Sequence, residues 1–373
     1  MKNINRIQWK SALIFMLFFS VYANADEVYR ADGPYVFHIA GGGIRVVSVD
    51  TDSTLVDTTY QTIPVGFTLP VKSHDGKHCF DAKLHKVQRH KWSSGQPDKL
   101  MVISDPHGNM DCFVSVLRGN HVINKEYEWI YGTNHLMIIG DVFDRGKDVL
   151  PIFWLIYKLE KEAEDAGGQV SFLIGNHEPM ILAGDYRYAD EMYLHLAERM
   201  NMEYRGFFGP DTELGRWLAT RNTIQVIGDD LFVHAGLGEA FLEADLTIPE
   251  VNEGISAGLF MTKEERKTHS PITEFLYGNL GPIWYRGMVR NDERYEPLDA
   301  DVLGEILNRY GVNRIIVGHT IFPDIRVLYS GRVVTVNVDN KKNFDAVLGR
   351  GILIQKDKTF VIGDKEILRK LDF

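Results

Sequence analysis

Asp105-Pro-His107-Gly, Gly140-Asp141-Val-Phe-Asp144-Arg145-Gly, Gly175-Asn176-His177-Glu178 and Gly318-His319-Thr320 are four short polar motifs along a 373-residue chain, each at the end of an apolar run. A fifth, Phe232-Val-His234-Ala-Gly, lies between the third and fourth. Carboxylates, imidazoles and an amide in this mix can hold two divalent cations side by side, and Arg145 can hold a phosphate. Oxygen and nitrogen donors together suit Mn, Fe or Zn better than Ca or Mg alone. The combination points to phosphoester hydrolysis.

Each motif has a blander reading when taken alone. Asp105 and His107, one residue apart on an extended segment, can turn to the same side and share a cation, but Asp-x-His also occurs as a plain turn after a strand. Asp141 can bridge two cations through its two oxygens, with Asp144 and Arg145 facing the same cleft; the alternative is an Asp-Arg ion pair. A lone histidine after a strand is more often a structural hydrogen-bonder, and His38, His90 and His195 keep that reading. The ordered set of five is what favours a site.

Such a set needs rigid strand ends. Lys99-Leu-Met-Val-Ile-Ser104, His135-Leu-Met-Ile-Ile139, Gln169-Val-Ser-Phe-Leu-Ile174, Leu231-Phe-Val233 and Arg314-Ile-Ile-Val317 are brief continuous apolar runs, as expected of strands buried on both faces. Helical patterns at 151–163 and 301–310 alternate with them, so the fold class is α/β. The motifs follow the runs directly, which puts them on loops at the C-terminal strand ends. Residues 185–221 read as a helical insertion that could cover the site, and Gly351–Gln355 and Thr359–Ile362 as closing strands. Residues 26–97 read as a small β-rich region, with strands at Tyr35–Ile39, Ile44–Val49, Leu55-Val and Val65–Leu69, ending at the polar stretch Trp92–Asp98. The catalytic domain is 98–373.

Lys2, Arg6 and Lys10 precede the apolar run Ala12–Phe19, and Ala23-Asn-Ala25 follows it, the pattern of a cleaved secretory leader over residues 1–25. The expectation is an exported protein, periplasmic or secreted, with no stable membrane association after cleavage. Loss of those three cations takes the formal net charge from −10 to −13. The average surface then repels nucleic acid, and an anionic substrate must find a locally positive site. Two cysteines, Cys79 and Cys112, make no disulfide framework, and their pairing stays open.

The motif set resembles that of the calcineurin-like metallophosphoesterases, and within them the phosphoprotein phosphatases with their GDxHG, GDxxDRG and GNHE signatures. The leader and the sequence between motifs are similar to the bacterial Shewanella-like branch, which includes a tyrosine phosphatase. The resemblance spans about Leu100 to Asp339. It departs at Ser104, where glycine is usual, at Ala235, and at Ile321, where many broader relatives carry a second histidine. It implies a core of two packed mixed sheets flanked by helices. It also implies Asp105, His107 and Asp141 on one metal, and Asp141, Asn176, His234 and His319 on the other. His177 would be the general acid, oriented by Asp144, and Arg145 and Arg286 the phosphate clamps. Two such metals would activate a bridging hydroxide for direct attack, without a covalent phosphoenzyme. The implied partner is a phosphorylated protein, with phosphotyrosine first and phosphoserine or phosphothreonine also open, or a small phosphoester; a monomer is expected. A nucleotide or dinucleoside polyphosphate hydrolase, and a secreted metal- or phosphate-binding protein, are the competing readings. Cys112-x5-Arg118 formally matches a cysteine phosphatase loop. Its intervening residues are too bulky to wrap a phosphate, and they suit a buried helix face instead. Tyr186, Tyr188, Phe207, Phe208 and Trp284 could stack on a phenyl phosphate, although aromatics are more often core.

Overall fold

A computed structural model describes residues 31–50, 52–290, 294–365 and 367–373, so the leader expectation lies outside the described residues. The N-terminal region builds an antiparallel sheet of β1 (Asp32–His38), β2 (Ile44–Val49) and β3 (Leu55–Tyr60), and a hairpin of β4 (Leu69–Lys72) and β5 (Cys79–Ala82). The strand expected at Val65–Leu69 is absent apart from Leu69. Phe67 N donates to Pro64 O at 3.1 Å across Val65 and Gly66, and Gly66 has φ 76°. This is a glycine-dependent turn, and it leaves Val65 exposed.

Two six-stranded mixed sheets follow. β7 (Lys99–Ser104), β8 (His135–Ile139) and β9 (Gln169–Phe172) run parallel, and β15 (Gly351–Gln355), β16 (Lys358–Ile362) and β17 (Ile367–Leu371) extend that sheet antiparallel from β7. The other sheet has the order β13 (Arg326–Leu328), β14 (Val333–Thr335), β12 (Arg314–Val317), β11 (Asp230–Val233), β10 (Ile224–Ile227) and β6 (Ser93–Ser94). The polar stretch after Trp92 thus supplies an edge strand.

Alternate residues of one strand serve different cores. Leu100 and Val102 meet Met137, Ile139, Phe232, Ile316 and Ile352 between the sheets, whereas Met101 and Ile103 join the helix-side core. Apolar residues are needed on both faces, which explains the unbroken runs. Helix Val149–Asp165 covers the outer face of the first sheet and is wedged against the N-terminal region, where Trp154 Nε1 donates to Pro34 O at 2.8 Å. Residues 185–221 contain helix Glu191–Arg199, a 3₁₀ turn at Tyr204–Phe208 and helix Glu213–Ala219. Phe207 and Phe208 are buried there against Tyr35, and so belong to the core.

Candidate metal centre and cleft

The strand ends of the two sheets converge on one seam, and the ten singled-out residues meet there. Asp105, Asp141 and Asn176 follow the first sheet's parallel strands; His234 and His319 follow β11 and β12. Asp141 is the hub. Its Oδ2 lies 3.1 Å from His234 Nε2, 3.9 Å from His107 Nε2 and 3.8 Å from His177 Nε2. His107 Nε2 is also 3.9 Å from Asp105 Oδ1, and Asn176 Oδ1 is 3.0 Å from His234 Nε2. The rings of His234 and His319 are 4.9 Å apart.

The segment carrying Asp105 and His107 is not extended, contrary to the sequence expectation. Asp105 has φ 52° and His107 φ 42°, and the chain turns sharply so that His107 N reaches Asp141 O at 3.0 Å. Asp141 (58°), Asp144 (72°), Arg145 (68°) and His319 (60°) also occupy the left-handed region. Of the fifteen non-glycine residues in that conformation among the described residues, six lie in the motifs, where the backbone bends to aim side chains.

Two histidines are fixed in orientation by carbonyls. His107 Nδ1 pairs with Phe143 O at 2.8 Å and His234 Nδ1 with Ile139 O at 3.0 Å, which turns each Nε2 toward the centre. Asp105 Oδ1 and His319 Nε2 are buried with no hydrogen-bond partner. Unpartnered buried atoms of this kind beside a cluster of carboxylates and imidazoles fit the coordination of divalent cations. Two overlapping groups could each hold one: His107, Asp141 and His177, and Asp141, His234 and His319.

Electrostatics point the same way. Burial takes Asp105 up to about 7 and His107 down to about 3. Burial works against ionised Asp141, but His234, His177 and His107 outweigh it and hold its carboxyl well below the usual range. Burial opposes charged His234 too, yet Asp141 and Asp105 take it up to about 9. In the metal-free centre His234 therefore carries a proton at pH 7 that a cation must displace. Metal affinity should rise with pH toward about 9, and calorimetry at pH 7 in buffers of different ionisation enthalpy should register about one to two protons released per chain, one from His234 and a fraction from Asp105. A buffer-independent heat would contradict this.

His177 opens the helix His177–Leu182, and its Nδ1 pairs with Asp144 Oδ2. Burial disfavours its charged form, but Asp141 and Asp144 together raise its pKa. Arg145, Asn176, His177 and Arg286 line one cleft of about 750 Å³. Arg286 Nη1 donates to Thr320 Oγ1 at 2.9 Å, beside His319. Tyr188 stands with its ring 5.7 Å from that of His177, and Trp284 with its ring 5.8 Å from that of His319. Both aromatics line the cleft, whereas Tyr186 turns its hydroxyl to Arg205 N at 3.1 Å.

Two contributors had no role in the sequence reading. Glu178 is fully buried and accepts from Gly175 N at 2.8 Å, Val142 N at 2.9 Å and Asp141 N at 3.1 Å, tying two motif loops together. Its place in the Gly-Asn-His-Glu motif was the signal. Ser104, the departure from glycine, fits against Gly318 and donates to Asp105 Oδ2, which also accepts from His319 N at 3.1 Å.

Cys79 is exposed and Cys112 buried, and both are free thiols. Cys112 lies on helix Met110–Gly119, and burial pushes its thiol up, away from the thiolate a nucleophile needs. Cys112→Ser should change kcat less than about twofold while lowering stability by roughly 1–3 kcal/mol. A folded, metal-loaded variant without activity would restore the cysteine mechanism.

The family model of the calcineurin-like phosphoesterases matches residues 99–323. The chain is 29% identical over 262 residues to Shewanella-like protein phosphatase 1 of Plasmodium berghei, covering 68% of each chain. It is 27% identical over 312 residues to Shewanella-like protein phosphatase 2 of Arabidopsis thaliana, covering 72% of this chain and 75% of that one. A crystal structure of the cold-active protein-tyrosine phosphatase of a psychrophilic Shewanella species superposes with a TM-score of 0.81 at 30% identity, over 91% of this chain and all of the other.

Proposed function

The chain belongs to the calcineurin-like phosphoesterase family and is a metal-dependent protein phosphatase, and from that premise we propose that it hydrolyses phosphotyrosine in proteins by direct attack of water. The observation that carries the tyrosine preference is the pair of rings, Tyr188 and Trp284, standing beside His177 and His319 on the cleft wall. A phenyl phosphate bound at the centre would have these two rings among its neighbours.

Asp105, His107, Asp141, Asn176, His234 and His319 would hold two divalent ions, with Mn, Fe or Zn fitting the donor set. When bound, such ions supply Lewis acidity at the phosphate and an activated water. The protein's own groups do the rest. Arg145 and Arg286 draw the phosphate oxygens onto one wall and meet the charge that grows there during displacement. His177, held by Asp144, offers its Nε2 proton to the leaving oxygen.

The leader pattern of residues 1–25 supports export to the periplasm or the exterior. Turnover of phosphotyrosine, phosphoserine and dinucleoside polyphosphate substrates, with and without a chelator, tests the reading. Phosphotyrosine should be the best substrate and chelation should abolish its turnover. Faster nucleotide cleavage, or indifference to chelation, would overturn it.

A further inference from the structure

The cleft's charge is opposite to that of the chain that builds it. Overall, 51 acidic residues outnumber 41 basic ones. Yet the described residues lining the cleft include seven cations and only two anions, Asp185 and Glu274. Arg145 and Arg286 are assigned to the phosphate, and one further cation, Arg266, is buried and occupied: it donates to Gly258 O at 2.9 Å, Leu259 O at 2.8 Å and Pro179 O at 3.1 Å. Four cations remain beyond what a single phosphate requires: Arg187, Lys263, Lys267 and Arg294. Arg187 is paired with Asp185 at 2.5 Å, a carboxylate that Lys263 also influences, so against two anions the wall keeps a surplus of positive charge to which the two lysines contribute.

Their placement is built. Lys263 and Lys267 are four residues apart on helix Lys263–His269, and so share a face. Thr262 and Glu265 form a capping box that fixes the start of this helix, and Arg266, pointing inward, ties it to Pro179 in the helix that begins with His177. The lysine face is thereby held in register with the proposed general acid. Four helical residues rise about 6 Å, close to the roughly 6.6 Å between alternate residues of an extended peptide.

We propose that this wall reads acidic side chains next to the phosphorylated residue, so that the enzyme selects phosphopeptides with Asp or Glu near the phosphotyrosine. The inference rests on the phosphatase reading above and names its substrate class. Lys263 and Lys267 meet alternate carboxylates of an extended substrate strand, while the negative remainder of the surface repels anions that approach elsewhere.

The test is a set of phosphotyrosyl peptides of one length with acidic, neutral or basic flanks, assayed with the intact metal-loaded enzyme. Wild-type kcat/KM should fall from acidic to neutral to basic flanks by about tenfold per step at low salt, and the spread should narrow as ionic strength rises. The double variant Lys263→Glu/Lys267→Glu should collapse or reverse this order, chiefly through KM. Lys263→Gln/Lys267→Gln should flatten it and guards against a folding defect in the charge reversal. Equal turnover of all three peptides by wild type would overturn the inference and leave the phosphatase reading intact. Turnover of none of them would overturn that reading itself.

Discussion

His177→Asn should keep both metals and lose about 10²- to 10⁴-fold in kcat, the range for removal of a positioned general acid. Asparagine retains a polar group near the position of Nδ1 but has no proton acidic enough to give to the leaving oxygen. The loss should depend on the leaving group. An alkyl alcohol needs its oxygen protonated as the bond breaks, whereas a nitrophenolate leaves readily without help, so nitrophenyl phosphate should suffer least. The test also separates two roles that the geometry allows. His177 Nε2 lies 3.8 Å from Asp141 Oδ2, within a group that could hold an ion. If metal analysis finds a cation missing from His177→Asn, this histidine is a ligand and the proton comes from elsewhere.

Asp141→Asn should strip the centre and lower kcat on the order of 10⁴-fold, because one oxygen pair of Asp141 is proposed to serve both ions. The fold should survive. Asp141 Oδ1 accepts from His177 N at 3.0 Å, and an amide oxygen can accept the same bond. His319→Ala should behave differently, losing one ion while Asp105, His107 and Asp141 still hold the other. Metal content per chain, near zero for the first variant and near one for the second against two for the parent, is the measurement. Two ions retained by Asp141→Asn would show that it is not the bridge.

The parts of the molecule legible in the sequence were those where one physical demand dominates. β7, β8 and β12 were readable to their end residues because both faces of each strand are buried and every position apart from the terminal Lys99, Ser104, His135 and Arg314 is apolar. The candidate metal ligands could be singled out because they follow strands of the two sheets. Local patterns that carry two meanings misled: Val65-Gly-Phe-Thr-Leu has strand-like residues, but Gly66 turns the chain. Asp105 and His107 do reach one centre, through a tight turn rather than an extended segment. The role of Glu178 was hidden because its three donors belong partly to another motif, and the charge of the cleft because its lysines sit on a helix about 90 residues from His177 along the chain. Such relations exist only after folding.

The six left-handed residues of the motifs have a bearing on the history of the chain. Each non-glycine residue held in that region costs about 1–2 kcal/mol relative to an unconstrained one, somewhat less for aspartate, and a domain's whole margin is only about 5–15 kcal/mol. Glycine at Asp105, Asp144 or His319 would relax the backbone and erase the chemistry together. A duplicate released from selection for turnover would therefore drift toward stability by shedding these side chains. Left-handed residues without a proposed role, such as Tyr127 and Val347, occur elsewhere in the chain, but only in the motifs would a glycine remove a proposed ligand or catalytic group along with the strain.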